Sequence, residues 1–165
     1  MPHSFTDILI HAIFATRSRA ALIADEIRPE LFAYMGGIVR KTGGKALLIN
    51  GPADHVHMLV RIATDVSLAD LMRLVKENSS KWLGEKWPER SAFAWQTGYA
   101  AFSVSLSHRD EVYQYIRNQQ IRHKTMSFAD EIRAVFRKYG GDPADFLEDS
   151  AAPEGALREC ELSHG

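Results

Sequence analysis

His55 and His57 flank a single valine at the head of an apolar run, Asp54-His55-Val56-His57-Met58-Leu59-Val60. If that run is a strand, its alternation sends both imidazoles to one face, about 7 Å apart along the chain. Two imidazoles on a rigid element make half of a metal site. Further on, Tyr115 and Gln119 stand four apart in a helical pattern and project from one helix face. If that face lies over the histidine strand, Gln119 offers a neutral carbonyl oxygen as a third ligand, beside a phenol. Mg²⁺ or Mn²⁺ held by two imidazoles, an amide oxygen and water keeps positions open for a phosphate. Such a cation polarises a phosphoryl oxygen and templates the attack, and the Tyr115 hydroxyl becomes the nucleophile. Attack on a phosphodiester leaves a covalent phosphotyrosine. That bond conserves the energy of the cleaved one, so the residue set suits strand transfer better than plain hydrolysis.

Taken singly, these signals are weak: most His-x-His pairs on strands are structural, and Tyr-x-x-x-Gln on a helix is common. Tyr113 is the rival nucleophile. It lies on a different helix face, and four residues on is Arg117, which cannot ligate a cation. His11 sits in an apolar stretch and reads as a satisfied core histidine, while His3, His108 and His164 read as exposed. Asp54 either orients a histidine from behind or merely makes the turn. Trp82, Trp87 and Trp95 read as core or interface in preference to base-stacking platforms.

The elements that must position these residues follow from patterning. Residues 5–16 read as a buried first strand, followed by a basic connection, Arg17-Ser18-Arg19, which is either a solvated loop or a phosphate contact. Asp25 can cap a helix running to Lys41, with Pro29 in its first turns. Residues 45–50 and 55–62 read as strands joined across Gly51-Pro52-Ala53-Asp54. Ser67 caps a helix through Trp87, and Pro88 stops it. Residues 93–105 read as a fourth strand with Gly98 as a candidate bulge. Ser107 to Asp110 has the form of a capping box opening a helix to Lys124. A last helix spans 128–139 and ends at Gly140-Gly141. The order predicts an α+β, ferredoxin-like β-α-β-β-α-β fold: an antiparallel sheet with its first and third strands in the middle, plus an added C-terminal catalytic helix.

The chain has 165 residues, enough for one domain with a real core. Its net charge is -1, with 20 basic and 21 acidic residues unevenly spread. Residues 142–165 hold seven acids against Arg158 alone, which leaves 19 bases and 14 acids, a net +5, for residues 1–141. A mildly basic body suits a polyanionic partner. Residues 1–141 thus read as the catalytic domain and 142–165 as an acidic, poorly ordered tail. One cysteine, Cys160, forms no internal disulfide. No apolar run reaches the roughly eighteen residues of a membrane span. The N-terminus lacks the basic-then-apolar pattern of a secretory signal. A cytoplasmic protein is expected.

DHVHMLV, then a Trp-x-x-Gly-Tyr strand (Trp95, Gly98, Tyr99) ending in FSVS, then YIRNQ, resembles the single-tyrosine HUH transposases of small insertion sequences, the insertion-sequence 200/605 type. The likeness covers most of residues 5–141. It implies that His55, His57 and Gln119 bind Mg²⁺ or Mn²⁺. It also implies that Tyr115 cleaves single-stranded DNA and keeps the 5′-phosphate. A homodimer acting on hairpins near element ends is implied too, with the tyrosine helix serving its own site or its partner's. Relatives often carry a His pair shortly after the glutamine. Here Arg122-His123-Lys124 stands in that place, with one histidine and no ligand role assigned. The chief alternative is a non-catalytic single-stranded nucleic-acid-binding module on the same fold. Against it, His55, His57, Leu59 and Arg61 line one face of the third strand with no aromatic for base stacking. A dimeric regulatory domain binding a small molecule or metal is the other alternative, and it gives no reason for Tyr115 beside Gln119.

Overall fold

Two apolar strands fill the centre of the sheet because both of their faces are covered. In the computed structural model, which describes residues 4–150, β1 (Leu9–Ala15) and β3 (His55–Arg61) are buried along almost their whole length. They pair antiparallel, with Ile13 opposite His57 and Ala15 opposite His55. β2 (Lys45–Asn50) and β4 (Ala100–Val104) are the edges of the order β2-β3-β1-β4. This is the antiparallel, ferredoxin-like arrangement that the element order predicts.

One face carries Ala12, Phe14, Val56, Met58 and Val60 and packs on α1 (Arg28–Lys41) and α2 (Leu68–Lys86). Helical spacing supplies their buried stripes: Leu31, Met35, Ile38 and Val39 on α1, and Leu71, Met72, Val75, Ser79 and Leu83 on α2. The other face carries Leu9, Ile13, Ala15 and Leu59, together with His11, His55 and His57. It is covered by α3 (Arg109–Arg117) and α5 (Phe128–Tyr139). Ser67 and Ser127 each accept a backbone N–H three residues on, at 3.1 and 3.2 Å, and so start α2 and α5. Gly140, at φ 96°, ends α5 in a conformation that side chains disfavour.

Several expected boundaries shift, each for a local reason. Asp25 does not cap α1; it pairs with Arg28 at 2.5 Å. The strand expected over 93–105 contracts to β4. Lys76 Nζ donates to the carbonyls of Thr97 and Gly98 at 2.9 and 3.0 Å, which engages them away from the ladder. Trp95 keeps only a bridge to Thr16 and donates its indole N–H to Ser79. No capping box forms at Ser107. Residues 106–108 make a 3₁₀ turn in which the Ser105 and Ser107 hydroxyls engage His108 Nδ1. The helix expected to run to Lys124 breaks at Asn118, and a separate turn, α4 (Gln119–Arg122), follows. Part of the tail that patterning leaves unordered is helical: α6 (Ala144–Ser150) buries Phe146 near Phe128 and Phe136. His3, Cys160 and His164 lie outside the described residues. Among the described residues no helix is long and apolar enough to cross a membrane.

Candidate active site

β3 presents His55 and His57 fully buried, with ring centres 5.2 Å apart. The turn before it is tight: a Cβ added at Gly51 would lie 2.2 Å from the His55 carbonyl oxygen, so only glycine lets the chain enter the strand this way. From α5 comes Glu131, also fully buried, between Phe128, Ile132 and Val135 on the helix's apolar face. Its Oε1 lies 3.0 Å from His55 Nε2 and 2.8 Å from His57 Nε2. Its Oε2 accepts from the Tyr115 hydroxyl at 2.6 Å and from the Gln119 amide at 3.0 Å. His123 Nε2 stands 2.9 Å from Oε1, out of line for a hydrogen bond. One carboxylate thus gathers side chains from β3, α3 and α4.

Behind the imidazoles, each Nδ1 has its own partner. His55 Nδ1 is 2.7 Å from Asp54 Oδ1, His57 Nδ1 is 2.9 Å from His11 Nε2, and His123 Nδ1 is 2.7 Å from the Met126 carbonyl. Asp54 therefore does orient a histidine. All three Nε2 atoms face inward, the disposition that ligating histidines adopt.

The electrostatics follow from these contacts. Burial pushes the Glu131 pKa up, but the adjacent His123 imidazole and the hydrogen bonds of His55 and His57 outweigh it and hold the group anionic. Burial lowers His55, yet its bonds to Asp54 and Glu131 carry it above the ordinary imidazole value. Burial dominates at His57, which falls to about 4, and at His11, which falls well below its usual value. Burial and then the Glu131 charge push the Tyr115 phenol up, and Arg122, with its guanidinium 4.4 Å from the centre of the tyrosine ring, opposes that rise. A cavity of about 260 Å³ opens beside Tyr115, bounded also by Val112, Arg122, Lys138 and Tyr139.

Could these residues hold a divalent cation? His55, His57 and Glu131 each bring a donor atom within 4.8 Å of the others. Gln119 Oε1 is buried with no partner among the described residues, an acceptor that a cation would satisfy. Imidazole nitrogen, carboxylate and amide oxygen together suit an ion of the Mg²⁺–Mn²⁺–Zn²⁺ class, so the donors fit.

The structure brings His55, His57, Tyr115 and Gln119 together, although the Asn118 break means that Tyr115 and Gln119 are not on the one continuous helix expected from sequence. Gln119 meets the cluster through its N–H, with its oxygen unengaged. Tyr113 packs against the apolar cluster around Leu59 and Ile116. Patterning missed Glu131, and its signal was an acid sitting on the apolar stripe of an amphipathic helix. His123, given no role from sequence, stands at the edge of the cluster.

A family model described as "Transposase IS200 like" matches residues 4–119. The ISDra2 transposase TnpA of Deinococcus radiodurans is 21% identical over 114 residues, spanning 66% of this chain and 81% of that protein. A solved chain assigned as a transposase from Deinococcus radiodurans R1 superposes with TM-score 0.58 at 22% identity, covering 72% of this chain and 95% of the other. A REP-associated tyrosine transposase bound to a REP hairpin superposes with TM-score 0.56 at 13% identity, over 93% of this chain and 90% of that one. At these identities the superpositions establish a shared fold.

Proposed function

The chain belongs to the IS200-like transposase family, and from that premise we propose that it cleaves and rejoins single-stranded DNA through a covalent 5′-phosphotyrosine at Tyr115. The observation that carries this reading is convergence. The Tyr115 hydroxyl, the Gln119 amide and the Nε2 atoms of His55 and His57 all meet Glu131 within 3.0 Å. A nucleophile, three ligands expected from sequence and an added carboxylate share one buried point.

In this reading His55, His57, Gln119 and Glu131 hold Mg²⁺ or Mn²⁺. The ion supplies charge stabilisation for the phosphoryl oxygens and offsets the repulsion between Glu131 and the incoming phosphate. Tyr115 Oη forms the new bond to phosphorus as it loses its proton. The P–O3′ bond breaks, and the leaving 3′ oxygen gains a proton. Rejoining runs the same exchange with another 3′ hydroxyl. Glu131 Oε2 aligns the phenol, Asp54 orients His55, and Arg122 lies against the tyrosine ring on the cavity side, where the DNA backbone would approach. The substrate proposed is a strand with hairpins near element ends, in keeping with the hairpin held by the structural relative.

The test is a denaturing gel of the protein incubated with Mn²⁺ and labelled single-stranded DNA from the ends of its own element. A protein-linked 3′-end label is expected for the native chain and none for Tyr115→Phe. If Tyr115→Phe still forms the adduct, the nucleophile is misassigned. If DNA binds but no metal or cognate strand ever yields an adduct, the chain is a non-catalytic binding module.

A further inference from the structure

β1 buries an imidazole that the proposed reaction leaves unused. His11 is 1% exposed and points to the same sheet face as His55 and His57. Its Nε2 lies 2.9 Å from His57 Nδ1, and its Nδ1 lies 3.3 Å from the hydroxyl of Tyr139 on α5. The half-exposed Tyr139 connects this line to the solvent side.

The neighbouring histidines show why this matters. Asp54 carboxylate and Met126 carbonyl can only accept, so a proton stays on Nδ1 of His55 and of His123 whatever Nε2 carries. His57 has no such partner. Its Nδ1 faces another imidazole nitrogen, which can either donate or accept. Exactly one proton fits between two ring nitrogens at that distance, so the tautomer of His57 is tied to that of His11. Tyr139, a hydroxyl, accommodates both directions.

We propose that His11 is a positioning residue that sets the ligating tautomer of His57, resting on the reading of His57 as a ligand. Without a cation, His57 Nε2–H donates to Glu131, His11 Nε2–H donates to His57 Nδ1, and Tyr139 donates to His11 Nδ1. When His57 Nε2 must present a lone pair, the line runs the other way: His57 Nδ1–H donates to His11 Nε2, and His11 Nδ1–H donates to Tyr139. One proton leaves at His57 Nε2 and one enters at His11 Nδ1 by way of Tyr139. Both rings stay neutral throughout. Because Tyr139 and Glu131 share α5, seating that helix sets both the carboxylate and this line.

The test is ¹⁵N NMR of the imidazoles in the full-length Tyr115→Phe chain, which reads tautomers without any DNA chemistry. Metal-free, His11 and His57 are expected as Nε2–H tautomers, and saturating Mg²⁺ should convert both to Nδ1–H. His11→Leu should weaken Mn²⁺ binding by about 10- to 100-fold. His11→Gln, whose amide oxygen can accept from His57 Nδ1, should recover part of the loss. Tyr139→Phe, at the outer end of the line, should leave the fold intact and shift the His11 and His57 tautomers together. The proposal is overturned if His57 changes tautomer on binding Mg²⁺ while His11 does not. It is also overturned if a folded His11→Leu binds Mn²⁺ like the native chain. Failure of the native chain to bind Mg²⁺ or Mn²⁺ at all would bring down the ligand reading, and this inference with it. Failure of the native chain to form the DNA adduct, with metal binding and tautomers intact, would count against the nucleophile alone.

Discussion

At the residue scale the site turns on how one buried carboxylate divides its two oxygens: imidazoles on Oε1, phenol and amide on Oε2. The two histidines of β3 then differ in what a cation must do to bind them. His57, lowered to about 4 by burial, is already neutral at physiological pH. His55, raised by Asp54 and Glu131 against its burial, holds a proton to above the ordinary value of about 6.5. A cation and that proton compete for Nε2. Mn²⁺ affinity should therefore rise with pH through the His55 value and level off above it. Calorimetry in buffers of different ionisation enthalpy should find one proton released per ion below that plateau. Glu131→Gln removes one of the groups that raise His55, so the midpoint should move to lower pH while affinity falls. Affinity that is flat between about pH 5 and 8, the span over which histidines titrate, would show that His55 is not a ligand.

At the element scale the delicate joint is the break between α3 and α4. Asn50, the last residue of β2, closes it from outside. Its Nδ2 reaches the Ile116 and Arg117 carbonyls at 3.0 and 3.1 Å and Gln120 Oε1 at 2.9 Å, and Gln120 returns a bond to Asn50 Oδ1 at 2.6 Å. The sheet edge thus caps the helix that carries Tyr115 and fixes where Gln119 begins the next turn. Asn50→Ala should cost about 1–2 kcal/mol of stability in urea denaturation and speed amide exchange across 116–122. It should slow adduct formation more than it weakens Mn²⁺ binding, because β3 keeps both histidines in place. Equal loss of both would mean that Asn50 supports the sheet as a whole and not the joint.

At the scale of the whole molecule, Tyr115 meets Glu131 and His57 within one polypeptide, and Gln119 meets the same carboxylate. The resemblance to the HUH transposases implies a homodimer with the tyrosine helix serving either subunit, and we propose service in cis. Mixing Tyr115→Phe with His57→Ala should then restore no adduct beyond the single variants. Adduct from the mixture would assign the tyrosine to a partner subunit. The acidic end of the chain is also part of the fold up to α6. The Arg19 guanidinium donates to the Leu147 carbonyl at 3.1 Å, so the basic turn after β1, where Ser18 and Arg19 adopt φ values of 57° and 53°, is partly covered by the C-terminal helix.

Local chemistry was legible in the residues themselves. Alternation placed His55 and His57 on one face of β3, helical spacing marked α1, α2 and α5, and Ser67 marked the start of α2. Strand and helix order led to the sheet topology, and the motif string led to the family. These depend on periodicity and on contacts within a few residues, which the chain carries wherever it folds. Only the tertiary structure decided that Glu131 is the hub. Its partner His55 is 76 positions away, and an acid on an apolar stripe has no meaning until packing shows what it faces. The same holds for His11, which shares a proton with His57 across paired strands, and for β4, shortened because Lys76 on a distant helix claims two of the carbonyls leading into it. Burial supplies the physical reason. Once water is excluded, each polar group must find a partner inside the protein, and the packing of α5 on the sheet, not any local pattern, determines which partner that is.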